Sequence, residues 1–237
     1  MKGFGPQAGI VRPVDAAGLV LIRAGRHGPE VLLGRRHRRL AFLPNVFVFP
    51  GGRVDRRDSR PSGFPEAISP RLADQLRHGG RRDPAAFLRA ALRETFEESG
   101  LHLVQEAAAA APPPGEGDVW RAYRRIGARP AFAAIGYICR AITPTSSSRR
   151  FNTRFFLADG GQAAGELGGC GELEDLAWHP VAETRRLALV DVTEFVLNEA
   201  LRRWRRPAGG GAAVPLLSYR DEVMRLRPSP RPAVDST

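Results

Sequence analysis

The sequence has almost no lysine, little cysteine and no long apolar run, and each shortage excludes something. Lys2 is the only lysine among 36 basic residues, so arginine carries nearly all the positive charge behind the net +11. The chain is also rich in Ala, Gly and Pro, a bias that a GC-rich genome explains without a polyanion-binding surface. Arginine forks still bind phosphates in bidentate fashion, so an anionic substrate fits the composition. No basic-aromatic stripe or nucleic-acid motif is present, and nucleic acid is not an expected partner. Two cysteines, Cys139 and Cys170, are too few for a disulfide framework and lack metal-ligand spacing. Both are expected reduced and mostly buried. No apolar run approaches the roughly 20 residues of a membrane span, the longest early one being Ala16 to Ile22. The N-terminus lacks signal-peptide order, and the final Val234-Asp235-Ser236-Thr237 matches no retention or peroxisomal address, so the cytoplasm is the expected location.

What is present suits one domain with a sizeable insertion: 237 residues, 43% hydrophobic and 26% charged. Ala17–Ile22 and Val31–Leu33 read as strands joined by the turn-rich Gly25–Pro29, and Val46–Phe49 is a third apolar run stopped by Pro50-Gly51-Gly52. Ser69 and Pro70 open a short helix that Gly79 follows, and Asp83 and Pro84 open a longer one that Gly100 ends. Leu101–Val104 is apolar, 106–114 reads as an Ala/Pro-rich linker, and a helix is expected around Val119–Ile126. Ala131–Ile142, Phe155–Leu157 and Leu173–Trp178 read as strands, and Val192–Trp204 as a helix. The Pro/Arg-rich end from about Pro228 is expected to be disordered. Without a regular βαβ alternation, the expected class is α+β in layers.

The chemistry concentrates in Arg93-Glu94-Thr95-Phe96-Glu97-Glu98-Ser99-Gly100. On a helix, Glu94, Glu97 and Glu98 fall within about a 100° arc, while Leu88, Leu92 and Phe96 share another side. Glu-rich faces are usually just solvated, yet three mutually repelling carboxylates are costly unless a cation joins them. Hard divalent cations take carboxylate, carbonyl and water oxygens and bridge to substrate phosphates. Arg93 stands four residues before Glu97 and is placed to hold it.

With Phe49-Pro50-Gly51-Gly52 upstream, this segment resembles the Nudix box: Gly, five residues, Glu, seven residues, then Arg-Glu-(apolar)-x-Glu-Glu-x-Gly-(apolar). Arg93, Glu94, Glu97, Glu98, Gly100 and Leu101 match the second half, with Thr95 at the apolar position, and Gly52 matches the first. The resemblance implies a Nudix-type α/β/α sandwich with a central mixed β-sheet and an insertion between the halves of the box. It implies Mg²⁺ or Mn²⁺ held by Glu94, Glu97, Glu98 and the Gly52 carbonyl, with Arg93 orienting the carboxylates. Forty residues separate Gly52 from Arg93 where the pattern has 13, so about 27 are extra. Counting back from Arg93, the first glutamate of the box falls at Ala85, where no carboxylate exists. Asp55 stands where many relatives carry an acid. The domain is expected over 15–227, after an extension 1–14, with the insertion at about 56–83 covering the cleft, making an interface or simply occupying surface.

The split box resembles that of the acyl-coenzyme A diphosphatase branch. The coenzyme A signature of the superfamily is kept in register at Leu32, Leu33 and Arg36, while Gly34, His37, Ala41 and Asn45 depart from it. Thr143-Pro144 and Arg150-Phe151-Asn152-Thr153 with Phe155-Phe156 resemble a further run of that branch, with Asn152 in place of aspartate. Arginines before a strand either grip a 3′-phosphate or diphosphate, or form a solvated edge. Substrate contacts are therefore expected at Arg36, Phe49, Gly51 and Arg150. The resemblance implies hydrolysis of coenzyme A or an acyl-coenzyme A to (acyl-)phosphopantetheine and adenosine 3′,5′-bisphosphate. ADP-ribose or another nucleoside diphosphate derivative is the alternative, and a catalytically inactive nucleotide- or RNA-binding module is the alternative of another class. The proton acceptor is Glu97 or an acid among Glu172, Glu174 and Asp175. His37 and His179 read as surface or turn residues. Homodimers are common in the family.

Overall fold

The computed structural model describes residues 11–78, 82–105, 118–206, 213–220 and 223–228. β1 (Val14–Gly25) and β2 (Gly28–Arg36) form a hairpin, and two short strands follow, β3 (Phe47–Val48) and β4 (Gly51–Arg53). α1 (Pro70–Arg77), α2 (Pro84–Ser99), β5 (His102–Gln105) and α3 (Asp118–Arg125) come next. Then come β6 (Arg129–Pro130), β7 (Gly136–Ile142), β8 (Phe151–Asp159), β9 (Ala163–Ala164), β10 (Leu173–Pro180), α4 (Asp191–Arg205), β11 (Pro215–Arg220) and β12 (Val223–Pro228). The main sheet runs β10-β2-β1-β8-β7-β11-β12, with β3 added to β2 and β4 to β1. It is mixed: β1 pairs β8 in parallel and β7 pairs β11 in parallel, while the other ladders are antiparallel. A small β6-β5-β9 sheet stands apart from it.

The run Leu19-Val20-Leu21-Ile22 is apolar at every position because both faces of the sheet are covered. Leu19, Leu21 and Leu32 pack with Phe87, Leu88 and Leu92 of α2, whereas Val20, Ile22, Val31 and Leu33 pack with Val196, Leu197 and Ala200 of α4. Helix, sheet and helix thus make the expected three layers. α2 is bounded as its sequence predicts. The Asp83 carboxylate accepts from the Ala85 N–H at 3.2 Å, Pro84 opens the first turn, and Gly100 closes the helix at φ 74°, donating to the Phe96 carbonyl at 2.8 Å. Ser69 caps α1 through the Leu72 N–H. The expected stop at Gly79, the linker 106–114 and the tail beyond Pro228 lie outside the described residues.

Two readings need correction. Ala131–Ile142 is not one strand, because a 3₁₀ turn at Phe132–Ala134 interrupts it and buries Phe132 against Trp120 beside α2. Cys139 is buried, but Cys170 is exposed in the loop before β10. The hairpin β11–β12 was not expected, and β12 is exposed along its whole length. Among the described residues, no helix is long and apolar enough to cross a membrane.

The insertion is fastened to the sandwich by arginines. Arg89 and Arg93, one turn apart on α2, turn the same face towards it. Arg89 holds Glu66 through two hydrogen bonds, and also Asp83 and the Asp58 carbonyl. Arg154 of β8, with no exposed surface, lies 3.8 Å above the Phe87 ring and donates to the Leu76 and His78 carbonyls at the end of α1. A guanidinium at a helix C-terminus complements the unpaired carbonyls there.

Candidate active site

Pro50 ends the apolar run of β3, and Gly51-Gly52 begin β4 against β1. Gly51 fits only as glycine: a Cβ there would stand 2.5 Å from the Ala17 carbonyl oxygen and 2.6 Å from Gly18 Cα. A Cβ on Gly52 would instead stand 2.5 Å from the Glu94 carboxyl carbon. The backbone of this turn therefore lies directly on the carboxylate face of α2. The Gly51 N–H donates to Glu98 Oε2 at 2.8 Å. Glu98 is buried and Glu94 and Glu97 are half-buried. Thr95, at the apolar position, is buried and satisfies its hydroxyl on the Ala91 carbonyl at 2.8 Å.

Arg93 is the hub. It is buried, and its Nη1 donates to Glu94 Oε1 at 2.7 Å and to Glu97 Oε2 at 2.9 Å. Its other edge grips the equally buried Asp58 in a fork, Nε to Oδ1 at 2.9 Å and Nη2 to Oδ2 at 2.8 Å, and Nη2 also reaches the Arg53 carbonyl. Burial works against this charge, but the Asp58 and Glu94 contacts outweigh it and keep the guanidinium more basic than usual. Arg57, in the turn after β4, donates to Glu97 Oε1 at 3.0 Å.

Burial pushes the Glu98 carboxyl up to about 8. The Gly51 N–H and Arg36 oppose that rise, while Glu94 and Glu172 add to it. Burial likewise raises Glu94 despite Arg93. Among the described residues, no three acidic, histidine or cysteine side chains stand converged as a ready metal cluster. The reason is visible: Glu94 and Glu97 turn towards Arg93, and Glu98 towards Gly51. The donor set nonetheless fits a hard divalent cation. Glu94 and Glu98 lie against the Gly51-Gly52 backbone with Glu97 beside them on the same helix face, and burial raises the first two, a desolvated oxygen set that a hard cation would suit.

These groups line one wall of a cleft of about 1160 Å³. Arg36 lies in it, its Nε on the Phe42 carbonyl at 2.9 Å, with Phe49 edge-on to Phe155 beside it. Leu32 and Leu33 are core residues on opposite faces of the sheet, so packing accounts for them and only Arg36 of that trio reaches the cleft. Arg150 lines the cleft, yet its guanidinium donates to the Thr143 and Val11 carbonyls, at 3.2 and 2.8 Å. The three loop acids separate cleanly. Glu174 and Asp175 pair with Arg35, at 3.0 and 2.8 Å, whereas Glu172 lines the cleft and acts electrostatically on Glu98 and Arg36. The loop carrying Glu172 is tied to the end of α2 by the Gly168 and Cys170 N–H groups, and to β2 by the His37 N–H. His37 approaches Glu174 at 3.4 Å, and His179 packs edge-on to Phe47.

A solved NUDIX hydrolase from Alicyclobacillus acidocaldarius shares this fold with a TM-score of 0.59 and 29% identity, over 80% of this chain and 91% of that one. The chain has the Nudix hydrolase fold. Over 96 residues it is 34% identical to acyl-coenzyme A diphosphatase NUDT19 of Xenopus laevis, a match taking in 32% of this chain and 25% of that protein. The chain thus spans about a quarter of the length of that curated relative. No family model matches.

Within the Nudix box the structure revises one reading. Counting back from Arg93 lands on Ala85, buried on α2, but counting forward from Gly52, past the five intervening residues, lands on Asp58. The carboxylate of the first half is present there, as aspartate, and it is the partner of Arg93. The extra residues therefore enter after position 58. Forward counting was the signal that backward counting missed. Asp55 lies at the rim, 3.8 Å from Arg57.

Proposed function

We propose that this Nudix hydrolase cleaves the diphosphate bond of a nucleotide derivative with a divalent cation, and that coenzyme A or an acyl-coenzyme A is the substrate. The observation that carries the reading is the α2 carboxylate face, Glu94, Glu97 and Glu98, opposed by the Gly51-Gly52 backbone inside a cleft large enough for a nucleotide. Those carboxylates and the Gly52 carbonyl would hold Mg²⁺ or Mn²⁺. Such an ion, when bound, polarises phosphoryl oxygens and lowers the pKa of water. Arg93, braced by Asp58, fixes Glu94 and Glu97 so that they need no reorganisation during the reaction. Glu172 is the general base in this reading, since it alone of the loop acids faces the cleft without a paired arginine. Arg36 faces the phosphates and counters the charge that develops on the leaving oxygen. The coenzyme A branch rests on Arg36, on the split box and on the partial likeness to the acyl-coenzyme A diphosphatase.

The test is product identification with coenzyme A, an acyl-coenzyme A and ADP-ribose, each with Mg²⁺ or Mn²⁺ and beside Glu97→Gln. Metal-dependent release of adenosine 3′,5′-bisphosphate, lost in the variant, is expected. Cleavage of ADP-ribose alone would overturn the substrate, and ligand binding without turnover would overturn the enzyme.

A further inference from the structure

The turn between β7 and β8 brings unmatched positive charge to the far side of the same cleft. Its base is rigid: the Thr143 N–H donates to the Phe151 carbonyl, the Phe151 N–H returns to the Thr143 hydroxyl at 3.0 Å, and Arg150 straps the turn to Thr143 and Val11. Arg149 is different. It is exposed, it lines the cleft with Ser147 and Ser148, and among the described residues it enters no hydrogen bond or ion pair. Its charge is felt by Arg36, which itself answers to Glu98 and Glu172. The cleft therefore carries the carboxylates, Arg36, and Arg149 with two hydroxyls on its lining. Arg149 and Arg36 disfavour one another's charge, and an anion placed between them relieves both. A guanidinium fork with serine hydroxyls is phosphate-binding chemistry.

We infer that Arg149, with Ser147 and Ser148, forms a second anion subsite that takes a phosphate monoester carried by the substrate apart from its diphosphate. Resting on the proposed diphosphatase activity, this makes Arg149 the residue that tells a 3′-phosphorylated nucleotide from its dephosphorylated form. The diphosphate lies at the α2 carboxylates, and the monoester reaches across Arg36 to the turn.

The test compares coenzyme A with 3′-dephospho-coenzyme A, which differ only in that monoester, for the full chain and for Arg149→Ala, Arg149→Lys and Ser147→Ala/Ser148→Ala. The expected result is a wild-type preference for coenzyme A in kcat/KM of about 10- to 100-fold, the range of charge-assisted hydrogen bonds. Arg149→Ala should remove it through KM and leave dephospho-coenzyme A within about twofold, with Arg149→Lys restoring part. Equal losses on both substrates, or none on either, would overturn the subsite. Should neither substrate be cleaved, the proposed activity fails, and binding decides the subsite separately by titration calorimetry. Adenosine 3′,5′-bisphosphate binding more tightly than adenosine 5′-monophosphate, with the difference abolished by Arg149→Ala, supports it, and equal affinities overturn it. Because Arg149 is exposed and unpaired, its variants keep the wild-type melting temperature.

Discussion

Replacing Asp58 by Asn tests whether the partner of Arg93 supports the carboxylate site or merely the fold. Asp58 and Arg93 are each 3% exposed and joined by two bonds of 2.8 and 2.9 Å. Breaking a buried pair from one side typically costs about 3–5 kcal/mol, because the remaining charge stays buried. Arg93 keeps Glu94, Glu97 and the Arg53 carbonyl, so the lower end of that range, about 3 kcal/mol, applies here. For a chain of this size that corresponds to a fall in Tm of roughly 6–12 °C. Asp58 also accepts the Asp55 N–H at 2.7 Å, a bond the Asn side-chain oxygen can keep.

The second consequence falls on the site. Freed from Asp58, the guanidinium leans further towards Glu94 and Glu97 and competes with any cation there. Mn²⁺ affinity, read by electron paramagnetic resonance without substrate, should weaken on the order of tenfold, the lower end for a partner that orients ligands. Guanidinium chloride unfolding supplies the stability, and Asp58→Glu, which keeps the charge, should recover most of both losses. A wild-type midpoint for Asp58→Asn would refute the energetic argument. A lowered midpoint with unchanged Mn²⁺ affinity would refute the link to the carboxylates.

Three further outcomes follow from the geometry. Gly52→Ala displaces only the flexible end of Glu94, so it should melt near wild type while Mn²⁺ affinity falls on the order of 10- to 100-fold. Gly51→Ala meets the β1 backbone and should destabilise by about 1–3 kcal/mol, and similar melting curves for the two variants would contradict this. Glu172→Gln should lower kcat about 10²- to 10⁴-fold with unchanged fold, whereas Glu174→Gln should leave kcat near wild type; the reverse ranking would move the general base elsewhere. Burial raises the Glu66 carboxyl, but the Arg89 and Ser62 bonds outweigh it, so its pKa falls below 4.5 on folding. Its contribution is complete above about pH 4.5 and is lost as pH drops through the folded value. Urea midpoints between pH 3 and 6 should therefore decline less steeply for Glu66→Gln than for wild type, and parallel curves would count against it.

The contrast between α2 and the rest of the site shows what a sequence can disclose. α2 was legible because its signals are local: Asp83 and Pro84 at one end, Gly100 at the other, and glutamates whose helical spacing puts them on one face. The β1 run was legible because a strand buried on both faces needs no alternation. β12 was not, since a strand exposed at every position and ending in Pro228 carries neither pattern nor core. The choice among Glu172, Glu174 and Asp175 depends on Arg35, some 140 positions away, and Arg149 differs from Arg150 because the Thr143 and Val11 carbonyls capture the latter. No local pattern encodes such pairings.

Asp58 lies between these cases. Its spacing from Gly52 fits the box, but the box is interrupted, and spacing alone cannot say on which side of an interruption a residue belongs. Arg93 decides it physically, because a guanidinium buried on α2 beside Glu94 and Glu97 presents its other edge to Asp58, whose carboxylate accepts from it in a two-bond fork and so stands with the first half of the box. The same demand recurs one turn earlier, where Arg89 takes Glu66. The insertion is therefore attached directly behind the acidic face, and an insertion that detached would take Glu66 away from the buried Arg89.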